Sequence, residues 1–203
     1  MIAIIDYGVG NLFSLSSSFK AIGYDTVVTG DKEQIKRADK LILPGVGAFE
    51  DAVKKLRENR LDELICEQVS AKKPLLGICL GMQMLFERSY EYGKHEGLGL
   101  LRGEVVPMEG KIAPQLKIPH IGWNQLNIKR SSPLLSSIED GNFVYFVHSF
   151  YAEGCEDSLI ATTDYGREMT AVVGKDNVFG CQFHPEKSGE TGLKILKAFC
   201  EME

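Results

Sequence analysis

The sequence predicts an α/β fold: a central, mostly parallel sheet flanked by helices, with an antiparallel extension in the C-terminal half. From the N-terminus to about residue 93, short apolar runs alternate with helix-like stretches, a rhythm typical of βα units in a parallel sheet. Beyond that point, strand-like runs follow one another with only turn residues between them, which favours antiparallel pairing. No linker or internal repeat interrupts the chain, so we expect a single domain over residues 1–203.

The elements of the first half follow from apolar spacing and from glycine breakers. Residues 1–6 form a short apolar strand that ends in the turn YGVGN, and Leu12, Leu15, Phe19 and Ile22 then recur at helical spacing. The same reasoning predicts strands at 26–28, 40–43 and 74–78, and helices at 31–37, at 49–70 with a break near Asn59-Arg60, and at 80–88.

The second half is predicted to contain mostly short strands. Their expected positions are 105–107, 123–128, 143–147, 159–163, 170–173 and 178–183, and a helix over 190–201 follows them. Strands this short with turns between them suit an extension attached to the parallel core, and they do not require a second domain.

Composition excludes several classes of function. The 203 residues carry a formal net charge of −5, which argues against the basic face of a nucleic-acid-binding protein. No apolar run approaches the roughly twenty residues of a membrane span. The N-terminus has an acidic Asp6 and no basic lead, so we expect a first strand there and not a signal peptide. The five cysteines are odd in number and scattered, which favours free thiols and a cytoplasmic location.

Metal and nucleotide motifs are incomplete. Cys181 and His184 have a metal-like spacing but lack a second ligand pair, so we expect no metal. The Gly-Val-Gly turns at residues 8–10 and 45–47 lack the third glycine of a dinucleotide fingerprint, and nothing matches a Walker A loop. We therefore expect no cofactor.

A glycine-flanked cysteine lies where a strand gives way to a helix, in the segment LLGICLGMQ of residues 75–83. A tight strand-to-helix turn forces its middle residue into a strained conformation in which neighbouring side chains would clash, and this accounts for the glycines. The turn places the Cys79 sulfur beside the free amides of a helix N-terminus, which stabilise a thiolate. Taken alone, the pattern fits a buried structural cysteine equally well.

A histidine and a carboxylate follow roughly a hundred residues later, in the segment FGCQFHPE of residues 179–186. A thiolate nucleophile needs an imidazole that accepts and returns a proton, and the imidazole needs a carboxylate that orients it. Pro185 keeps the segment extended and prevents it from winding into a helix. The two segments together predict a catalytic triad of Cys79, His184 and Glu186.

These segments, with LPGVG at residues 43–47, resemble the class I (triad) glutamine amidotransferases. Three more stretches are similar to the glutaminase subunits of imidazole glycerol phosphate synthases, enzymes of histidine biosynthesis: DYGVGNL at 6–12, PHIGWN at 119–124 and YFVHS at 145–149. The narrower resemblance depends mainly on Pro-Gly-Val-Gly and Gly-Trp-Asn. Phe150 departs from it, because tyrosine is expected after His-Ser.

The resemblance implies glutamine hydrolysis without a cofactor, in which Cys79 attacks the carboxamide, His184 passes the thiol proton to the departing ammonia and Glu186 orients His184. It also implies a heterodimer with a cyclase or synthase subunit that receives the ammonia. Further implied roles are oxyanion donors at Leu80 and in the turn of Gly45, Val46 and Gly47, glutamine contacts at Gln83, His148, Ser149 and Phe150, and partner contacts at Asn11, Trp123 and Asn124.

Several of these residues also fit purely structural roles. Gln83 fits an exposed helix residue, His148 a packed strand-end histidine and Trp123 a core aromatic. The chain as a whole also fits a glutaminase subunit for anthranilate, aminodeoxychorismate or pyridoxal phosphate synthesis, a stand-alone γ-glutamyl hydrolase, or a non-catalytic regulatory protein of the same fold. A complete triad disfavours the last of these, because a structural role needs none of its three residues.

Overall fold

The computed structural model describes residues 1–202, and its first half alternates strands with helices as expected. The strands are β1 (Ile2–Ile5), β2 (Thr26–Thr29), β3 (Lys40–Leu43) and β4 (Leu75–Ile78). The helices are α1 (Leu12–Ala21), α2 (Lys32–Arg37), α3 (Phe49–Glu58), α4 (Leu61–Ser70) and α5 (Leu80–Met84). The predicted break in the long helical stretch is confirmed at Arg60, whose φ of 53° is left-handed.

The second half consists of strands, two short 3-10 helices (Pro133–Leu135 and Pro185–Lys187) and one closing α-helix. The second 3-10 helix contains Glu186, so the prediction that Pro185 keeps this segment extended is wrong: proline is compatible with the first turn of a helix. The strands are β5 (Arg88–Ser89), β6 (His95–Glu96), β7 (Glu104–Pro107), β8 (His120–Gln125), β9 (Asn127–Ile128), β10 (Phe143–His148), β11 (Phe150–Glu153), β12 (Leu159–Asp164), β13 (Glu168–Lys175) and β14 (Val178–Cys181). Helix α6 spans Gly189–Glu201. The sequence did not predict β5, β6 or β11.

The main sheet has eight strands in the order β2-β1-β3-β4-β14-β13-β12-β9. The pairs from β2 to β14 are parallel, and those from β14 to β9 are antiparallel. This confirms the predicted α/β class and the antiparallel part. A second sheet has the order β11-β7-β5-β6, and β8 pairs with β10 in a separate antiparallel ribbon.

Two hydrophobic cores cover the two faces of the parallel strands. Alternate residues point to opposite faces of a strand, so Leu41 and Leu43 enter one core while Ile42 enters the other. Helices α3 and α4 pack on the first face, and α1 and α6 pack on the second. Strands buried on both faces account for the unbroken apolar runs in the sequence.

One predicted helix is shorter than expected. The sequence predicted a helix over 80–88, but α5 ends at Met84 and Arg88 pairs with Glu104 in a sheet. Leu98 and Leu101 donate backbone hydrogen bonds to Met84 and Leu85. These contacts between distant segments use the carbonyls that a longer helix would need, so tertiary pairing overrides the local pattern.

No helix among residues 1–202 is long and apolar enough to cross a membrane.

Candidate active site

Three neighbouring strands deliver the predicted functional segments to one edge of the sheet. Strands β3, β4 and β14 are parallel neighbours, so their carboxyl ends meet. The turn at Pro44 follows β3, Cys79 follows β4 and His184 lies just beyond β14. Together they border a cleft of about 410 Å³, lined by Val46, Gly47, Cys79, Leu80, Gln83, Glu91, Pro119, Val147, His148, Ser149, Phe150, His184 and Lys187.

The turn around Cys79 has the strained geometry that the sequence predicted. Cys79 has φ 54° and ψ −112°, a rare conformation for a residue with a side chain. A Cβ at Gly81 would lie 1.8 Å from the Leu43 carbonyl oxygen, and one at Gly77 would lie 2.7 Å from the Gly81 carbonyl oxygen. Only glycine fits at either position, so the two glycines allow the strand, the cysteine and the helix to pack this closely.

Polar groups from two segments lie beside the Cys79 sulfur. The side-chain amide of Gln182 donates to Sγ at 3.8 Å, and the Val147 carbonyl oxygen lies 3.9 Å from Sγ. The Cys79 amide donates to the Cys181 carbonyl at 2.8 Å, which fixes the turn to β14. Because α5 has only five residues, the free amide of Leu80 contributes more than a helix dipole to stabilising negative charge beside Cys79.

The histidine and the carboxylate form a buried pair. His184 Nδ1 lies 2.9 Å from Glu186 Oε1, and both side chains are 3% exposed. Burial opposes a charged imidazole, but hydrogen bonds from His184 to Cys79 and Glu186 outweigh it and raise the pKa of His184 to about 10. His184 therefore carries a proton at neutral pH, and that proton is available to a leaving group.

The predicted oxyanion turn lies against the start of α5. Gly45 is buried, and a Cβ there would lie 2.8 Å from the Gly81 amide nitrogen and 2.9 Å from Leu80 Cβ. Val46 and Gly47 are exposed, and Gly47 has a φ of +92°. The turn thus has a fixed base and an exposed tip, and it lies beside the predicted oxyanion donor at Leu80.

Gln83 lies in the cleft but most of its amide is occupied. Its Nε2 donates to the Phe150 carbonyl and to Gln182 Oε1, both at 3.0 Å. With both N–H groups used, only the Oε1 of Gln83 is left to accept from a substrate. The side chain is 5% exposed, so it is not the surface helix residue that its sequence also allowed.

His148 lies at the end of a row of polar side chains in close contact. Its Nδ1 donates to the Phe150 carbonyl at 2.9 Å, and its Nε2 lies 3.0 Å from Nδ1 of His120. His120 Nε2 lies 3.0 Å from Asn124 Oδ1. Burial lowers the pKa of His120 and that of His148, the latter to about 3. A neutral His148 with its proton on Nδ1 can only accept at Nε2, and a neutral His120 has one proton, which can serve His148 or Asn124 but not both. His148 therefore borders the cleft as a neutral group.

The structure adds Glu91, which the sequence analysis missed. It is the one carboxylate among the described residues that line the cleft, and burial raises its pKa. One of its oxygens accepts from the Phe49 amide at 2.7 Å, which fixes the side chain at the start of α3. Glu91 lies in a loop without periodic pattern, so no sequence signal distinguished it from a solvated surface acid.

The predicted partner residues differ in exposure. Trp123 is 51% exposed, and its ring centroid lies 5.9 Å from that of Tyr145 on the paired strand. The side chain of Asn124 is used internally, because it also donates to the Asp164 carbonyl at 2.8 Å. Asn11 is partly exposed and immediately precedes α1.

A family model described as class-I glutamine amidotransferase matches residues 3–202. The chain belongs to this family. The amidotransferase is 55% identical over 204 residues to the imidazole glycerol phosphate synthase subunit HisH of Caldanaerobacter subterraneus, with 100% of the chain and 98% of the relative covered. It is 51% identical over 205 residues to HisH of Bacillus subtilis, with 100% of the chain and 96% of the relative covered.

Solved structures share the fold of this amidotransferase at low identity. PurLQS from Thermotoga maritima superposes with a TM-score of 0.77 at 20% identity, covering 98% of the chain and 96% of that structure. The glutaminase domain of Trypanosoma brucei CTPS with bound acivicin gives a TM-score of 0.63 at 18% identity, covering 100% of the chain and 94% of that structure. The low identities support the common fold and nothing finer.

Proposed function

We propose that this chain is the glutaminase subunit of an imidazole glycerol phosphate synthase. It hydrolyses glutamine to glutamate and ammonia and supplies the ammonia to a cyclase subunit in histidine biosynthesis. The observation that carries the proposal is that Cys79 and His184 line one cleft, with Glu186 2.9 Å from His184, in a chain 55% identical to a HisH subunit. The family relationship indicates the pathway, and the cleft indicates the chemistry.

The first half of the reaction forms a thioester. The Cys79 thiolate attacks the carboxamide carbon of glutamine, and the resulting oxyanion accepts from the Leu80 amide and from one amide of the turn at 45–47. His184 then gives its proton to the nitrogen as the C–N bond breaks, and ammonia leaves. The carboxylate of Glu186 holds the imidazolium in orientation throughout.

The second half releases glutamate. Water gives a proton to the neutral His184 and attacks the γ-glutamyl thioester, and the same amides stabilise the second oxyanion. The C–S bond breaks, the Cys79 thiolate is restored and His184 is again protonated. One water is consumed for each glutamine, so the balance is glutamine plus water to glutamate plus ammonia.

Charged and polar groups of the cleft fit the amino-acid end of glutamine. Glu91 offers a carboxylate to the α-ammonium group, and Oε1 of Gln83 is free to accept from it. Ser149 lines the same cleft, and its hydroxyl has no partner within residues 1–202, so it can donate to the α-carboxylate. The Phe150 carbonyl is already used by Gln83 and His148, so Phe150 contributes mainly its ring.

The ribbon of β8 and β10 is the proposed docking face for the cyclase subunit. Its outer side presents exposed apolar residues, of which Ile121 is 58%, Trp123 51% and Phe143 50% exposed. A large apolar side chain half exposed on a paired strand is typical of a protein interface. The proposed docking face adjoins the cleft, because Val147 of β10 lines the cleft.

The test is ammonia release from glutamine by the chain alone and with a candidate cyclase subunit and its nucleotide ligand. We expect slow hydrolysis alone and much faster hydrolysis in the complex. Cys79→Ala should lower hydrolysis by at least about a thousandfold while ammonia-dependent synthesis by the complex continues. Cys66→Ala is the matched control. Hydrolysis that survives in Cys79→Ala, or a chain that runs at full rate alone, would contradict the proposal.

A further inference from the structure

Tyr7 is a buried hydroxyl that the mechanism above does not use. It is 5% exposed and lies just beyond β1, which pairs in parallel with β3. Its hydroxyl donates to the Pro44 carbonyl oxygen at 2.7 Å. Tyr7 is not among the residues that line the cleft, so it does not contact a substrate there directly.

This hydrogen bond fixes the base of the oxyanion turn. A trans peptide is planar, so holding the carbonyl oxygen of Pro44 also fixes the direction of the Gly45 amide. A Cβ at Gly45 would lie 3.0 Å from the Tyr7 hydroxyl on one side and 2.8 Å from the Gly81 amide nitrogen on the other. The base of the turn is therefore held between Tyr7 and the start of α5.

The hydroxyl is a permanent donor. Burial, and to a smaller degree the charge of Cys79, raises the pKa of Tyr7, so the phenol stays protonated over the whole working range. The loop after Tyr7 adds packing, because a Cβ at Gly10 would lie 3.2 Å from Pro44 Cβ. By contrast, a Cβ at Gly47 would meet nothing within 4 Å, so open space surrounds the tip of the turn and leaves room for its peptide to reorient.

We propose that Tyr7 is a positioning residue for glutamine hydrolysis: its hydroxyl anchors Pro44, so that only the exposed Val46–Gly47 peptide of the oxyanion turn can reorient. The inference rests on the proposed glutaminase function and names a residue that controls the oxyanion site from outside the cleft. Without the anchor, the whole turn shifts, and its amide is misplaced relative to the oxyanion.

The test compares Tyr7→Phe with the control Tyr24→Phe in the assembled complex. Tyr24 is also partly buried against the core, but its hydroxyl bonds to no residue that the structure describes. Loss of one oxyanion donor costs about a hundredfold to a thousandfold in kcat. We expect Tyr7→Phe to lose part of that, about tenfold to a hundredfold in kcat, with KM changed less than about threefold. Tyr24→Phe should match wild type.

Alkylation of Cys79 by iodoacetamide separates positioning from general damage. This displacement forms no oxyanion, so its rate reports only the Cys79–His184 pair. We expect Tyr7→Phe to alkylate at the wild-type rate and to keep ammonia-dependent synthesis. Alkylation slowed as much as hydrolysis, or kcat within about twofold of wild type, would overturn the inference.

A structural readout keeps the inference distinct from the proposed function. In Tyr7→Phe, the NMR amide signals of Gly45, Val46 and Gly47 should shift and broaden as the turn loses its anchor, whereas those of Tyr24→Phe should not. If the wild-type complex hydrolyses no glutamine, the proposed function fails. Unchanged amide signals in Tyr7→Phe overturn the anchoring itself, whatever the activity.

Discussion

The environment of His184 decides the protonation state of the proposed triad. His184 is held by its backbone as well as by its side chain. Its backbone amide donates to the Tyr145 carbonyl at 2.9 Å, and its backbone carbonyl accepts from Ser188 Oγ at 2.7 Å. Its Nδ1 faces Glu186, which leaves Nε2 for Cys79. A residue fixed on all sides in this way suits repeated proton transfer, because it does not need to reorient between the two half-reactions.

The raised pKa of His184 predicts the alkaline limit of hydrolysis. Its pKa rises from 6.5 to about 10. The protonated His184 that pairs with Glu186 is therefore fully present below pH 6.5 and is lost as pH rises through about 10. We expect kcat/KM to fall along this alkaline limb. Glu186→Gln removes a charge that favours the imidazolium, so the limb should move to lower pH.

The measurement is a pH–rate profile for wild type, Glu186→Gln and a control, Glu190→Gln, which alters an exposed acid at the start of α6. Glu190→Gln should leave the limb in place. A limb that stays at the wild-type pH in Glu186→Gln would show that Glu186 does not set the protonation of His184.

At the scale of elements, local chemistry predicts the cysteine turn but not its surroundings. The glycines at 77 and 81 can be interpreted from sequence because the steric demand lies within a few residues of Cys79. The ribbon that faces the turn pairs His120 with His148, and no local pattern indicates this pairing. The same limit accounts for the missed strands β11 and β5, since each pairs with the distant strand β7. Strand β6 pairs with the nearby β5, and each of these two strands has only two residues.

The turn at 45–47 can be tested as an element whose conformation controls the reaction. Proline fixes φ near −65° and lacks an amide hydrogen, whereas Gly47 has a φ of +92°. We expect Gly47→Pro to lower activated kcat by about a hundredfold or more, as for loss of an oxyanion donor, and to change KM much less. Ammonia-dependent synthesis by the complex measures whether assembly survives.

Gly110→Pro serves as its control, because Gly110 also has a positive φ, of 73°, but lies outside the cleft-lining residues. It should leave kcat near the wild-type value. Equal losses of kcat in both variants, or a loss in Gly47→Pro confined to KM, would contradict a catalytic role for the turn.

At the scale of the whole molecule, strand β10 connects the proposed docking face to the proposed triad. Tyr145 packs edge-on against Trp123 on the outer side of the ribbon, and its carbonyl accepts from the amide of His184. Lys187, next to the triad, lies 5.9 Å from the Tyr145 ring centroid. A partner that covers Trp123 therefore contacts a ribbon whose strand β10 is hydrogen-bonded to the proposed catalytic histidine, which gives docking a direct route to the cleft.

Trp123→Ala tests this arrangement. Buried tryptophans often dominate interface energetics, at about 2 kcal/mol or more, so we expect the affinity for the cyclase subunit to fall by at least about tenfold. Glutamine hydrolysis by the isolated chain should stay near wild type. Titration calorimetry measures the affinity, and Val28→Ala, on the edge strand β2, is the control. Unchanged affinity in Trp123→Ala would show that the docking face lies elsewhere.

The strands of the parallel half and the segments that border the cleft could be predicted from sequence, because each depends on a local pattern of apolar residues, glycines or polar side chains. Glu91 and Tyr7 could not be predicted in the same way. Their proposed roles depend on which distant backbone groups, the amide of Phe49 and the carbonyl of Pro44, meet their side chains in the fold.

The most direct test of the central claim, that Cys79 is the nucleophile of a glutaminase, is peptide mapping after treatment with a glutamine-mimicking diazo-ketone. We expect the adduct on Cys79, protection by glutamine, and loss of glutamine-dependent but not ammonia-dependent synthesis. Cys155, Cys181 and Cys200 are buried, and burial raises the pKa of each thiol, so they should not react. An adduct mainly on Cys66, the partly exposed thiol, or hydrolysis that persists after Cys79 is labelled, would contradict the account.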